Sequence, residues 1–248
     1  MTYASEVLAD SPYAYWKCDD GSGSTLADSS GNAQTISIIG SGLTFGVTQL
    51  ASGLGNAVTF NGNQFLDRTM SLDFNSIPVT VECIVSLSDI TTNKRALHAF
   101  GSEALMWRLG DTGDSNGSIN TVFGAGGIGQ AHTGSVMSIN TPYHFVGTFD
   151  NAGNADVWLN GTKVLTHNPT NTNLSPGTAF DFGVNSNKII GTVQHIAIYR
   201  GVVLSDYRIQ YHAYIAGLGS APAAPTRSRP SSRLKRPLNR AATARAVR

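Results

Sequence analysis

Three glutamates, Glu6, Glu82 and Glu103, are the residues to test first for catalytic chemistry. Hydrolysis of a glycosidic bond requires two carboxyl groups that flank the scissile bond. Glu82 lies in the stretch TVECIVSL, with no acidic residue two or four positions away on either side. This isolation predicts that Glu82 hydrogen-bonds across a sheet, and that the chain is not an enzyme.

Two further segments match catalytic or cofactor motifs by letter only. Gly113–Gly117 reads G-D-S-N-G, but a nucleophile elbow requires a strand that turns sharply into a helix, and this segment lies in the polar stretch GDTGDSNGS. Gly124–Gly129 reads G-A-G-G-I-G, but a dinucleotide site requires a helix that begins at the third glycine. The residues that follow have no helical periodicity. Both segments are predicted to be loops between strands.

A glycan-binding site is the one small-molecule site that the residue types support. Sugar rings stack on exposed aromatic side chains, and Asp, Asn or Arg bonds their hydroxyl groups. The stretch MWRLGDTGDSNG supplies such a set, namely Trp107, Arg108, Asp111 and Asn116. Trp158, in DVWLNG, is a less suitable platform because it precedes a tight Asn-Gly turn. The alternative is that these large aromatic residues fill the core.

The C-terminal segment can form charge-assisted contacts. Residues 220–248 contain eight Lys or Arg residues and no acid, for a formal charge of +8. Arginine binds carboxylate or phosphate through two parallel hydrogen bonds, and prolines keep such a segment extended. The predicted partner-binding residues are Arg227, Arg229, Arg233, Leu234, Lys235, Arg236, Arg240 and Arg245. The apolar Leu234 favours a protein partner, with nucleic acid as the second choice.

The charges divide the chain into a body and a tail. Residues 1–219 carry nine Lys and Arg against sixteen Asp and Glu, which gives a formal −7, whereas residues 220–248 are wholly basic. Such asymmetry is typical of a folded body with a separate interaction arm. We therefore predict one domain over residues 1–219 and a Pro/Arg-rich tail over residues 220–248.

Strand patterns recur through the body. In IPVTVECIVSL, the alternation places Val81, Cys83 and Val85 on one face and Glu82 and Ile84 on the other. YHFVGTFD and NADVWLNGTKVL flank two successive turns, the second of them Asn-Gly, which predicts two hairpins. The two cysteines, Cys18 and Cys83, lie in such runs and are predicted to be buried free thiols, with pairing as the alternative.

One short helix is predicted near the end of the body, in LSDYRIQYHAYIAGLG. Ser205 is suited to cap its first turn, and Gly217 is suited to end it. Tyr207, Tyr211 and Tyr214, with Ile215 and Leu218, form one stripe that would pack on the sandwich. The fold class predicted from these patterns is all-β, an antiparallel two-sheet sandwich with one short C-terminal helix and a basic extended tail.

Five blocks in a fixed order give the chain a family resemblance. They are DSPYAYWKCDDGSGSTLADSSGN, NAVTFNGNQFL, VTVECIVSL, TPYHFVGTFDNAGNADVWLNGTKVL and GTVQHIAIYRGVVLSDYRIQYH. From about Tyr13 to Tyr214, the chain resembles the laminin G-like, concanavalin A-like jelly-roll family. The resemblance implies two curved antiparallel sheets packed face to face. It implies much less about activity, because one fold hosts many functions.

No cofactor is expected, and the metal sites considered are weak. The resemblance implies acidic calcium ligands after Gly191, but this chain has Gln194 and His195 there. Asp19, Asp20 and Asp28 are alternative calcium ligands, although turn capping explains them as well. The six histidines, His98, His132, His144, His167, His195 and His212, do not stand at zinc-ligand spacing from one another.

The function expected from these observations is structural. No apolar run is long enough to span a membrane, and the N-terminus lacks the layout of a secretory signal. A jelly-roll body with a basic anchor then fits a virion protein of a bacteriophage, in a capsid or tail, made in the host cytoplasm and bound to other virion subunits. The alternative is a carbohydrate-binding module for recognition of a host surface.

Overall fold

The chain folds as two antiparallel β-sheets packed face to face, which confirms the predicted fold class. A computed structural model describes residues 1–70, 78–91, 94–99, 105–109, 116–123, 129–150, 152–168, 179–183 and 188–223. Within these residues the first sheet has the strand order β14-β13-β12-β7-β16-β5-β4, with β1 also paired to β16. The second sheet has the order β11-β10-β9-β8-β15-β6-β3-β2.

The strands and helices have the following bounds. The helices are α1 (Tyr3–Ala9) and α2 (Asp206–Ile215). The strands are β1 (Ala14–Trp16), β2 (Thr25–Leu26), β3 (Ile36–Ile39), β4 (Thr44–Val47), β5 (Ala57–Asn61), β6 (Phe65–Thr69), β7 (Val79–Leu87), β8 (Lys94–Ala99), β9 (Leu105–Leu109), β10 (Ile119–Phe123), β11 (Gly129–His132), β12 (Tyr143–Phe149), β13 (Ala155–Leu159), β14 (Thr162–His167), β15 (Ala179–Phe182) and β16 (Ile190–Arg200).

The core lies between the sheets, and a second apolar cluster lies outside the first sheet. The alternation in β7 explains both, since Val81, Cys83 and Val85 face the inner core while Ile84 belongs to the outer cluster. Tyr3 and Val7 of α1 and Ile209 of α2 also pack in that outer cluster. The two helices therefore cover the outer face of the first sheet. In the described part of the chain, neither helix is long and apolar enough to cross a membrane.

The helix prediction is correct in position and wrong about which face of the helix is buried. Helix α2 begins after Ser205, whose Oγ accepts a hydrogen bond from the Arg208 amide, and Gly217 follows its end at φ +73°. Its buried face consists of Ile209, His212 and Ala213, whereas Tyr207 and Tyr214 are 37% and 44% exposed. The tyrosine stripe therefore faces outward, because α2 buries its polar histidine against Glu82.

Helix α1 was not predicted. Thr2 caps it by accepting a hydrogen bond from the Ser5 amide, while Ser5 bonds back to the Thr2 amide. In the sequence this reciprocal cap is a short polar pattern, TYAS, before a helix of only seven residues. Such a segment gains its stability from tertiary packing more than from propensity, which is why local periodicity does not reveal it.

The turns and cysteines agree with the sequence. Strand β12 pairs with β13, and β13 with β14, and the second turn has Asn160 and Gly161 both at positive φ, as a tight hairpin turn requires. Cys18 and Cys83 are both buried and unpaired. Strands β10 and β11 form an antiparallel pair on either side of residues 124–128, which lie outside the described residues.

Candidate functional site

Strand β7 places Glu82 on the outer face of the first sheet, beneath the helices. Its Cα partners are Val146 in β12 and Ala197 in β16. Side chains two residues apart on a strand share a face, so His144 and Tyr199 lie on the same side of the sheet as Glu82. Glu82 therefore hydrogen-bonds across the sheet to both neighbouring strands, as its isolation in the sequence predicts.

The Glu82 carboxylate is surrounded by three hydrogen-bonding side chains. His144 Nε2 lies 3.0 Å from Glu82 Oε2, and His212 Nδ1 lies 3.0 Å from the same oxygen. The Tyr199 hydroxyl donates to Glu82 Oε1. Glu82, His144 and His212 are each 0% exposed. A carboxylate so enclosed is stabilised by its hydrogen bonds and not by water.

From His212 the network continues to the N-terminal helix. His212 Nε2 lies 3.1 Å from Asp10 Oδ2, so its imidazole bridges two carboxylates. Arg208, one helical turn earlier, donates from Nε to Asp10 at 2.8 Å and from Nη1 to Glu6 at 3.0 Å. Alternating charges thus connect β7, α2 and α1. We call Glu82, His144, His212, Asp10 and Arg208 the buried network.

The pKa values within the buried network follow from this alternation. Burial opposes ionisation of Glu82, but the positive charge of His212 and hydrogen bonds from both histidines hold its pKa well below the ordinary value. Burial likewise acts to lower the pKa of His212, and the charge of Glu82 with hydrogen bonds to Asp10 and Glu82 raises it to about 9. His212 is therefore an imidazolium at neutral pH.

The buried network is closed to large molecules. Its central side chains have no exposed surface, and general acid–base catalysis requires a donor within hydrogen-bond reach of a substrate. His144 and His212 lie 62 and 130 residues from Glu82 along the chain, so their spacing gave no sign of this cluster. The only local signal was a glutamate on the face of β7 that also carries Ile84.

The structure distributes the predicted glycan residues over different environments. Trp107 is 0% exposed in the core between the sheets, and Gly147 of β12 packs directly against its ring. An indole in this position fills the core, so the alternative interpretation applies and the ring offers no face for a sugar. Arg108 is half-buried, Asn116 is exposed, and Asp111 lies outside the described residues. Trp158 is also buried, in the outer cluster.

Arg108 belongs to a row of polar side chains on the outer face of the second sheet. It is the Cα partner of Asn120 in β10, which pairs in turn with His132 in β11. Because Trp107 points into the core, these three residues point away from it. Asp67 and Asp181 pair on strands β6 and β15, farther along the same sheet. We call this set the polar face of the second sheet.

Asp67 and Asp181 share a proton-dependent contact. Burial, together with a hydrogen bond to Asp181 and the negative charge of Asp181, raises the pKa of Asp67. The two residues are Cα partners on adjacent strands, and strand alternation places both side chains on the outer face of the sheet. The pair adds two carboxyl groups to the polar face of the second sheet.

The aspartates considered as calcium ligands have local partners. Asp28 accepts hydrogen bonds from the backbone amides of Tyr15, Ser30 and Gln34. Asp20 accepts from the Ala27 amide. These bonds lower the pKa of Asp28 despite its partial burial, and they are the bonds of a turn cap.

The tail is described only at its start. Residues 220–223 border an open cavity of about 250 Å³, together with Asn160, Thr162 and Gln210. The predicted partner-binding residues, Arg227, Arg229, Arg233, Leu234, Lys235, Arg236, Arg240 and Arg245, lie outside the described residues. Their role stays a prediction.

Comparison with known proteins identifies the fold. No protein-family model matches the chain, and no curated protein sequence matches it. Among solved structures, it is similar to domain 4 of AbnA, a GH43 extracellular arabinanase from Geobacillus stearothermophilus, in complex with arabinotriose. The TM-score is 0.65 at 18% identity, over 82% of this chain and 98% of that one.

Two toxin domains share the same architecture. The ligand-binding domain of botulinum neurotoxin serotype D in complex with N-acetylneuraminic acid matches with a TM-score of 0.61 at 12% identity, over 84% of this chain and 52% of that one. The binding domain of Paraclostridial Mosquitocidal Protein 1 matches with a TM-score of 0.64 at 12% identity, over 83% and 52%. The present chain thus spans about half the length of these toxin domains. At sequence identities this low, the structural similarity establishes a common β-sandwich fold and nothing further.

Proposed function

We propose that this chain is a non-catalytic carbohydrate-binding module. The observation that carries the proposal is the polar face of the second sheet, where the half-buried Arg108 and His132 lie on either side of the fully buried Asn120 on adjacent strands. Hydroxyl-rich ligands are held by converging donors and acceptors of this kind. Similar domains in solved structures are bound to arabinotriose and to N-acetylneuraminic acid, which supports a glycan as the ligand class.

The first experiment screens the purified full chain against arabinan oligosaccharides and sialylated glycans, followed by calorimetric titration of each hit. Arg108→Ala is expected to weaken binding by about tenfold or more, since a hydrogen bond to a charged group contributes roughly 1.5–3 kcal/mol. Arg200→Ala is the matched control, because Arg200 is an exposed arginine at the end of β16 in the other sheet. Absence of any hit, or equal loss in both variants, refutes the proposal.

A virion role is a second proposal about where such a module works. The division of charge supports it, since a body of formal charge −7 carries a tail of +8 that is suited to docking on an acidic neighbouring subunit. In this proposal the module is displayed on a bacteriophage capsid or tail. Copurification with virions, and release when residues 220–248 are removed, would support it. Retention of the truncated chain on virions would contradict it.

A further inference from the structure

The geometry of the buried network resembles a metal site as well as a hydrogen-bond cluster. Glu82, His144 and His212 each offer one ligand atom, and these atoms all lie within 4.8 Å of one another. The three side chains come from β7, β12 and α2, and each is fully buried. Zinc takes imidazole nitrogens and carboxylate oxygens at about 2.0–2.2 Å, which places tetrahedral ligand atoms about 3.3–3.6 Å apart. The two 3.0 Å contacts to Glu82 Oε2 would therefore lengthen by a few tenths of an ångström around a central ion.

The charges of the network leave room for a divalent cation. In the described part of the chain, Arg208 forms ion pairs with Glu6 and Asp10, whereas the Glu82 carboxylate pairs with the two histidines. With both histidines neutral, this set carries a formal −2. Protonation of His212 supplies one positive charge, and buried uncompensated charge is costly. One divalent cation would neutralise the formal −2 of this set completely.

Two of the three ligands, His212 and Glu82, have the outer contacts that metal ligands commonly have, whereas His144 Nδ1 has no hydrogen-bond partner among the described residues. A histidine that binds a metal through one nitrogen usually donates its other N–H to a carboxylate, and His212 Nε2 faces Asp10 in this way at 3.1 Å. A ligating carboxylate is in turn hydrogen-bonded, and the Tyr199 hydroxyl donates to Glu82 Oε1. Asp10 and Tyr199 would therefore orient His212 and Glu82 as metal ligands.

Tyr3 provides an independent indication at the fourth side of the cluster. The centroid of the Tyr3 ring lies 5.8 Å from that of His144 and 5.9 Å from that of His212. Tyr3 is 2% exposed. Burial, and after it the negative charge of Glu82, raises the pKa of the Tyr3 hydroxyl. Yet among the described residues its oxygen has no well-formed hydrogen bond. Buried hydroxyls are normally satisfied, so this oxygen lacks a partner that an ion would supply.

We propose that Glu82, His144 and His212 bind a divalent transition metal, with Zn²⁺ as the first candidate, and that the metal locks α1 and α2 onto the first sheet. The mixed nitrogen and oxygen ligands disfavour Ca²⁺ and Mg²⁺, which take oxygen ligands. Because the ligands are closed off from solvent, the role is structural, and the metal enters as the helices dock.

The test uses the full chain without a polyhistidine tag. The protein is unfolded with a chelator, refolded with ZnCl₂, desalted and analysed for metal by mass spectrometry. We expect about one zinc ion per chain. The X-ray absorption fine structure at the zinc edge should show imidazole nitrogens at about 2.0 Å from the metal. Co²⁺ in place of Zn²⁺ should give visible d–d bands. Folded wild-type protein that retains less than about a tenth of an equivalent of zinc, or zinc without imidazole ligands, overturns the proposal.

Variants locate the metal. His144→Gln is expected to weaken zinc binding by more than about a hundredfold, and Asp10→Asn by about 10- to 100-fold through loss of the supporting contact. His195→Gln is the matched control, because His195 is a buried histidine that bonds Tyr15 and the Leu54 carbonyl instead of Glu82. Equal affinity in wild type and His144→Gln overturns the assignment, as does an equal loss in His195→Gln. Should a variant fail to fold, the wild-type stoichiometry and edge spectrum still decide.

Discussion

Replacing Gly147 by alanine tests the packing between the two sheets at one point. A Cβ added at Gly147 would lie 2.4 Å from Trp107 Cε2, 2.7 Å from Cδ2 and 2.8 Å from Nε1. Optimal carbon–carbon contacts are about 3.5–4.0 Å, so the ring or the strand must move by more than about 1 Å. The ring is fully buried and belongs to the opposite sheet, so it has no open space into which to move.

The expected cost follows from these contacts. Overpacking of a close-packed core costs about 1–3 kcal/mol, and a clash this short with an aromatic ring lies at the upper end. Loss of glycine's freedom in the unfolded chain returns up to about 1 kcal/mol. Gly147 has an ordinary strand conformation, so no backbone strain is added. The net loss is about 2 kcal/mol, or a decrease in Tm of about 4–8 °C for a domain of this size.

Thermal and urea unfolding followed by circular dichroism measures this loss. Gly134→Ala is the matched control, because a Cβ there meets no atom within 4 Å and its φ is not in the left-handed region. It should leave the free energy of unfolding within about 0.5 kcal/mol of wild type. If Gly147→Ala is equally harmless, Trp107 is not packed against β12 and the burial described above is incorrect.

Three further outcomes are expected. In the presence of a chelator, the free energy of unfolding should be greatest near pH 6.5. The pKa of His212 is raised to about 9, so the contribution of His212 to stability is lost as the pH rises from 6.5 through 9. The pKa of His195 is lowered to about 4, so stability falls as the pH falls from 6.5 to 4. His212→Gln should flatten the alkaline limb of this profile and His195→Gln the acid limb, and a flat wild-type profile would contradict both assignments. Arg208→Ala should destabilise the protein by about 2 kcal/mol and increase amide hydrogen exchange in α1. Lys17→Ala, which breaks a more exposed ion pair, should change stability by less than about 1 kcal/mol. Equal effects of the two substitutions would show that Arg208 does not hold α1 in place. Removal of residues 220–248 should leave the unfolding transition nearly unchanged, and a much lower Tm would place the tail in the folded body.

The sequence predicted those parts of the fold that depend on local pattern. Alternation in β7 gave the two faces of the sheet correctly, and Asn160-Gly161 gave the hairpin between β13 and β14, because each signal lies within a few residues of the feature. Ser205 and Gly217 likewise bounded α2. The identity of its buried face depended on a distant partner, Glu82, and could not be deduced from the helix alone.

The site was harder to predict for the same reason. Glu82 looked isolated because its partners come from β12, β16 and α2, far along the chain. Trp107 looked like a binding residue because polar residues follow it, yet its neighbours across the sandwich decide its burial. Arg108, the residue after Trp107, was identified as a binding residue from the sequence. Because Trp107 points inward, strand alternation places Arg108 on the outer face of the second sheet.

The connection of α1, β7 and α2 through the buried network has a consequence for biosynthesis. Arg208 contacts Asp10 and Glu6 across 198 and 202 residues of chain, so the ribosome must complete nearly the whole body before α1 can contact α2. Until then, the Glu82 side of the first sheet is an uncovered apolar and charged surface on the nascent chain. Contacts of such long sequence separation form late and slowly. We therefore expect the nascent protein to need protection by a chaperone until residue 215 has emerged, and its helices to close the molecule as the last step of folding.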